Sequence, residues 1–390
     1  MEHEERIEFL QEMIKQEGWG GALLFYSRDV FYYTGTAQPS YLMVFPDDHM
    51  LYVKSGFEFA SKEVFIDKEK VREERRLENI YSEVFHSFQE KRIATELDLL
   101  PANEFLKFQD IFKGFDWVDV SPHVLEQRKR KDASEIERIK EACGVIDAGH
   151  NAVLSNLKEG ITELEMAAAV ENAHRLAGHE GIFFIRQPDF FMSRGPISSG
   201  PNLFKISGVV YTVTGVGLSP SVPAGPSRRR MSERDLLVVD IPVLVNGYHA
   251  DQTRTYLLGK ADEKVKATYD KLREIADHLI ESIGPGMRCS EIYKLAVAKA
   301  EALGAGDAFL NFGGGKRSHL IGHGIGLEIN EPPVLAPNDH SIVSDGYVIA
   351  LDMHILDEEV GVFKLEDMIL IGEKDNQILT KSPRELFEIQ

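Results

Sequence analysis

Residues 235–256 read DLLVVDIPVLVNGYHADQTRTY. An apolar run closes on Asp240, Asn246-Gly247 makes a turn, and the chain returns through Asp251. Asn-Gly between alternating segments is a strong hairpin signal, because both residues tolerate positive φ. A two-residue loop pairs Val245 with Tyr248, Pro242 with Asp251 and Asp240 with Thr253. Cross-strand partners share a face, as do residues two apart, so Asp240 and Asp251 become diagonal neighbours. Two close, buried carboxylates repel unless a cation lies between them. Taken alone, the hairpin fits a metal site and two solvated or capping aspartates equally well.

The chain has 390 residues, enough for more than one domain. Its hydrophobic content of 43% is that of a globular protein. Acidic residues outnumber basic ones, 63 to 44, for a net charge of −19. That balance argues against nucleic acid or an anionic membrane as the main partner. No apolar run approaches a membrane span, and the opening MEHEERIEF is unlike a signal peptide. Cys143 and Cys289 have no metal-type or redox spacing, which points to buried thiols and a cytoplasmic setting.

Residues 4–17 pattern as an amphipathic helix stopped by Gly18. Strands are expected at 21–25, 30–35, 41–45 and 49–54, with Glu- and Lys-rich helices over 58–92. RIATE (92–96), a helix near 101–112 and WVDVS (117–121) complete an α/β unit. His49 and His86 are isolated there and read as surface or packing residues. The charged run 126–140 marks a boundary, with a solvated linker near 122–130. The domains expected are therefore 1–127 and 128–390.

In the second domain, helices are expected over 134–157 and 162–178. Asp132 or Ser134 caps the first, and Thr162 with Glu165 forms a capping box on the second. An aromatic segment (181–195) and a Gly-, Ser- and Pro-rich stretch (198–231) follow; such loops either line a cleft or merely connect. Two more helices, 261–284 and 289–303, precede HLIGHGIGLEINEPP (319–333) and two strands, 347–355 and 362–372. Two helices and then strands thus occur twice, hinting at an internal duplication.

In the last strand pair, matching Asp352 with Glu366 centres the loop on Glu359 and places Lys364 opposite His354. Asp352, His354, Lys364 and Glu366 then share one face. Four carboxylates on two strand pairs, with His323 between two glycines, suit divalent ions such as Mn, Co, Zn or Fe. A pair of such ions about 3.5–4 Å apart can activate a water and polarise a carbonyl.

The three segments VVDIPVLVNGYHADQTRTY, HLIGHGIGLEINEPP and the D-x13-E spacing that ends in KLED resemble the creatinase/prolidase/aminopeptidase P family of metallopeptidases. The resemblance spans nearly the whole chain. It implies an α+β fold: a C-terminal pita-bread catalytic domain after a smaller α/β creatinase-type N-terminal domain. It implies metal ligands Asp240, Asp251, His323, Asp352 and Glu366, holding two divalent metal ions. It gives Asp352 a proton-transfer role and matches His319 to a histidine that approaches substrate. Lys364 falls where many members carry arginine, and is read with His319 as steadying substrate or oxyanion.

The chain also departs from that pattern. Asp352 stands where glutamate is usual, one methylene shorter. Asn330 and Pro223 stand at the spacings of two auxiliary histidines, and an amide cannot donate a proton at neutral pH. The resemblance implies a Xaa-Pro aminopeptidase or dipeptidase acting on a peptide or small amide substrate, and a homodimer; the charge balance and hydropathy argue against nucleic acid or membrane partners. The alternatives are a creatinase-like hydrolase of a small non-peptide C–N substrate and a non-catalytic binding module. His249 and His354 read as packed histidines, with His354 the first substitute should the site be rearranged around Asp352.

Overall fold

The computed structural model describes residues 2–85, 90–187, 195–206 and 212–390. His86 and the rest of 86–89 in the expected helical stretch 58–92, 188–194 in the segment 181–195, and 207–211 in the segment 198–231 lie outside the described residues. The chain divides into two units, Met1–Arg128 and Lys129–Gln390.

The first unit is a mixed sheet. Its strands are β1 (Gly21–Leu24), β2 (Ser40–Val44), β3 (His49–Val53), β4 (Val71–Glu73), β5 (Arg92–Thr95) and β6 (Asp116–Asp119), in the order β4-β3-β2-β1-β5-β6. Leu23, Met43, Tyr52 and Ile93 pack with Phe85, Phe108 and Phe112 in an aromatic-rich core. One expectation fails here. Residues 30–35 are not a strand; Ser27–Thr34 is a helix, and Gly35 at φ 84 closes it by donating its N–H to Phe31 O. A short apolar run has no decisive period, and the glycine stop belongs to a helix C-cap.

The run at 122–130 is also not a solvated linker. Ser121–Lys129 is helical, and Arg128, Lys129 and Lys131 are buried. Arg128 pairs with buried Asp29 at 2.6 Å, and Lys131 with buried Glu331 at 3.2 Å. Charge runs are usually solvated because desolvation is costly; here carboxylates meet the cations inside.

The second unit is built on a nine-stranded sheet. Its strands are β7 (Ile197–Ser199), β8 (Leu236–Asp240), β11 (Thr253–Leu258), β14 (His323–Gly324), β15 (Glu331–Val334), β16 (Val348–Asp357) and β17 (Gly361–Leu370), in the order β15-β14-β16-β17-β11-β8-β7. β18 (Gln377–Ile378) joins β17 and β19 (Phe387–Ile389) joins β11. Separate two-stranded pairs are formed by β9 (Val243–Val245) with β10 (Tyr248–Ala250), and by β12 (Asn311–Gly313) with β13 (Lys316–Arg317).

Helices cover both faces of this sheet, so successive residues of β8 enter different cores. Leu237 and Val239 pack with Val153, Met166 and Val170, from the helices Ala133–Asn156 and Glu163–Ala177. Leu236 and Val238 belong with Leu272, Ile275 and Ile292, from Glu263–Ser282 and Cys289–Ala302. A strand buried on both sides reads as a continuous apolar run, which is why LLVV carries no alternation. Asp132 with Glu135 and Thr162 with Glu165 form capping boxes on the first two helices. Cys143 and Cys289 are free and buried. No described helix is long and apolar enough to cross a membrane.

Candidate metal centre

The strand registers assemble the site. β8 pairs Asp240 with Thr253 of β11, β11 pairs Thr253 with Glu366 of β17, and β17 pairs Glu366 with Asp352 of β16. Asp240, Thr253, Glu366 and Asp352 therefore form one row across four strands. Lys364 lies opposite His354, two residues along from Glu366 on the same face. His323 enters from β14, paired with Ala350.

The opening hairpin differs from its expected form in one respect. Val245 pairs with Tyr248 and Asp240 with Thr253, but Pro242 and Asp251 leave the ladder between those pairs. Pro242 has no N–H to offer a neighbouring strand. Asp251 instead directs its N–H to Met368 Sδ at 3.1 Å, while its Oδ1 accepts from Gln252 N at 3.0 Å. The break divides the hairpin between two sheets and places Asp251 at the junction.

Asp251, His323 and Glu366 offer ligand atoms that all lie within 4.8 Å of one another. All three side chains are buried. His323 Nδ1 lies 3.0 Å from Gly324 O, a contact only an N–H can make, so Nε2 presents its lone pair. That nitrogen is 4.0 Å from Glu366 Oε1. Glu366 Oε1 is buried and has no hydrogen-bond partner. A buried carboxylate oxygen without a donor is rare in folded proteins. A lone pair facing it across that gap completes the donor set of a divalent ion, whose bonds to nitrogen and oxygen are about 2.0–2.2 Å each.

Glu366 Oε2 has different company. It accepts from Thr253 Oγ1 at 2.8 Å and lies 3.5 Å from Lys364 Nζ. Lys364 Nζ also donates to Asp240 Oδ2 and stands 3.1 Å from Asp352 Oδ1. Its ammonium thus points into the carboxylates. Burial acts to lower its pKa, but Asp240, Asp352 and Glu366 outweigh that and hold it well above the ordinary lysine value. Burial raises the carboxyls: Asp352 to about 6 and Glu366 to about 8, each helped by neighbouring carboxylates and opposed by Lys364. Asp251 is raised well above the usual range, by burial first and then by Glu366 and Asp240.

The structure therefore brings Asp240, Asp251, His323, Asp352, Lys364 and Glu366 together. His319 is exposed on the loop before His323, and among the described residues no hydrogen bond or ion pair joins it to the carboxylates. His354 is buried, bonds Asn311 O through Nε2 at 3.0 Å and stacks on Phe312, so it is a packing residue. His249 is one too. Phe184 N donates to its Nε2 at 3.1 Å, which leaves the Nδ1 proton for Gly326 O at 3.0 Å. It ties the hairpin to the loop that carries His323.

Sequence reading missed several supporting residues. Thr253 orients Glu366, and its pairing with Asp240 was the available signal. Arg254 is buried and spends its donors on Pro383 O, Thr253 O, Glu366 O, Asp367 and Ser382 O, fixing the backbone of β17 behind the site. Buried Glu163 accepts from the N–H and hydroxyl of both Ser199 and Ser227, and from Asn202. It anchors the described ends of the Gly- and Ser-rich loops, and no spacing announces it.

Carboxylates and one imidazole on a sheet covered by helices define a hydrolase-type metal centre. Residues 137–373 match metallopeptidase family M24, and residues 6–130 match the creatinase/prolidase N-terminal domain. The chain belongs to metallopeptidase family M24. It is 28% identical to the Xaa-Pro dipeptidase of Pyrococcus furiosus, over 98% of this chain and 99% of that one. The prolidase of Pyrococcus horikoshii OT3 superposes with a TM-score of 0.80 at 25% identity, covering 98% and 99% of the two chains. A Xaa-Pro dipeptidase from Bacillus anthracis gives 0.83 at 23% identity, covering 99% and 100%, a likeness of fold. The creatinase-type N-terminal domain and the pita-bread catalytic domain are therefore established.

Proposed function

We propose that this chain is a metal-dependent dipeptidase that removes a C-terminal proline from Xaa-Pro dipeptides, acting as a cytoplasmic homodimer. The observation that carries the metal dependence is Glu366 Oε1, buried without a donor and facing the lone pair of His323 Nε2 at 4.0 Å. Asp251, His323 and Glu366 would hold the ion, which supplies an activated water and polarises the scissile carbonyl. The Xaa-Pro preference is supported by the relatives in Pyrococcus. The free, buried cysteines are consistent with the cytoplasmic setting.

The residues divide the remaining work. Asp352 is the most open acid of the row, with 11% of its side chain exposed against 1% for Glu366. It would take the proton of the attacking water and return it to the leaving imino nitrogen. Lys364 offsets the charge of the acidic row, because its donors are directed at carboxylates and not at a substrate oxygen. Thr253 and Arg254 hold Glu366 in place.

The test is proline release from Xaa-Pro dipeptides by chelator-stripped protein, with and without added Mn, Co, Zn or Fe. Metal should restore cleavage, and Asp251→Asn or His323→Ala should abolish it. Turnover by fully stripped protein, or cleavage of small non-peptide amides in preference to proline dipeptides, would overturn the reading.

A further inference from the structure

The acidic row already contains a cation. Lys364 Nζ bonds Asp240 Oδ2 and lies 3.1 Å from Asp352 Oδ1 and 3.5 Å from Glu366 Oε2, with 1% of its side chain exposed. An ammonium and a divalent ion compete for the same lone pairs. Among the described residues, Asp251, His323 and Glu366 form the one group of three potential ligands within reach of a common ion, and Asp240 is not in it. Glu366 joins the two halves, with Oε2 toward Lys364 and Oε1 toward His323.

We propose that the centre takes one divalent ion, at Asp251, His323 and Glu366 Oε1, and that the Lys364 ammonium fills the place of a second. The proposal rests on the metal-dependent reading above and specifies its stoichiometry. An ion bound by Asp240 would lie against the ammonium, in surroundings where little water screens the repulsion. The strand that carries Lys364 is held from behind. The Lys364 N–H donates to Thr255 Oγ1 at 3.0 Å and its carbonyl accepts from the same hydroxyl at 2.7 Å, which fixes its strand. Across the strand pair lies buried His354, stacked on Phe312. An ammonium that left these carboxylates for an apolar part of the fold would lose the charges that offset its burial.

The experiment uses the full chain, stripped by chelator and titrated with Mn²⁺ by calorimetry, with metal analysis after gel filtration. One tight ion per chain is expected, with any further site at least about 100-fold weaker. Low-temperature electron paramagnetic resonance should show uncoupled Mn(II) whose intensity accounts for all bound metal. Lys364→Met, with circular dichroism to verify folding, should raise the count to two. Two ions of similar affinity, or a spin-coupled pair, in the unmutated protein would overturn the proposal while leaving metal dependence intact. Binding of no ion would overturn both. A folded Lys364→Met protein that still takes one ion would remove Lys364 from the account. Should that variant fail to fold, the stoichiometry and resonance of the unmutated chain still decide.

Discussion

Glu366 has two oxygens in two environments, and Thr253 maintains the difference. The threonine hydroxyl holds Oε2 at 2.8 Å, which leaves Oε1 facing His323. Thr253→Val keeps the shape and removes the donor. We expect Mn²⁺ affinity to fall by about 10–100-fold, the usual effect of losing a group that orients a ligand, measured by calorimetry. The ligand types were legible in the sequence, because a metal needs carboxylate and imidazole and few other patterns collect them. The aim of Lys364 was not. A long side chain can point along a cleft or into an acidic row, and only the surrounding carboxylates decide. His319 shows the converse: correct spacing from His323, yet exposed and unattached to the row.

At the scale of elements, registers proved more legible than element types. Asn-Gly fixed Val245 against Tyr248, and the pairing of Asp352 with Glu366, assumed from the sequence, is the one the sheet adopts. VFYYT misled because aromatic and β-branched residues also fill buried helices. Side-chain chemistry is equally decisive where helices meet. Gly149 of the helix Ala133–Asn156 lies under His174 of the helix Glu163–Ala177, and a Cβ there would come 2.1 Å from His174 Nε2. Burial lowers His174 from its ordinary 6.5 to about 4. The folded protein thus keeps this imidazole neutral where the unfolded chain protonates it. Its contribution is complete above pH 6.5 and is lost as pH falls toward 4. Urea unfolding should show the stability of the unmutated protein falling relative to His174→Gln across that range, by up to about 3 kcal/mol.

On the scale of the whole molecule, composition indicates sign more reliably than place. A net charge of −19 attracts divalent cations from solution. Stopped-flow Mn²⁺ association should therefore slow as salt rises from about 0.05 to 0.5 M, while dissociation from the buried site changes little. The cluster Arg128–Lys131 was misplaced from sequence for a related reason. Its partners Asp29 and Glu331 lie 99 and 200 residues away from Arg128 and Lys131, so no local window contains them.

The row Asp240–Thr253–Glu366–Asp352 also has a consequence in time. It exists only when three strand pairings, drawn from positions 240 to 366, have all closed in register. A slip of one residue in any of them turns its carboxylate to the opposite face. A chain still searching its sheet has the acids but not the cluster. Of the three groups proposed to hold an ion only Glu366 stands in that row, so a sheet closed out of register turns that carboxylate away from Asp251 and His323 and leaves the set of three incomplete.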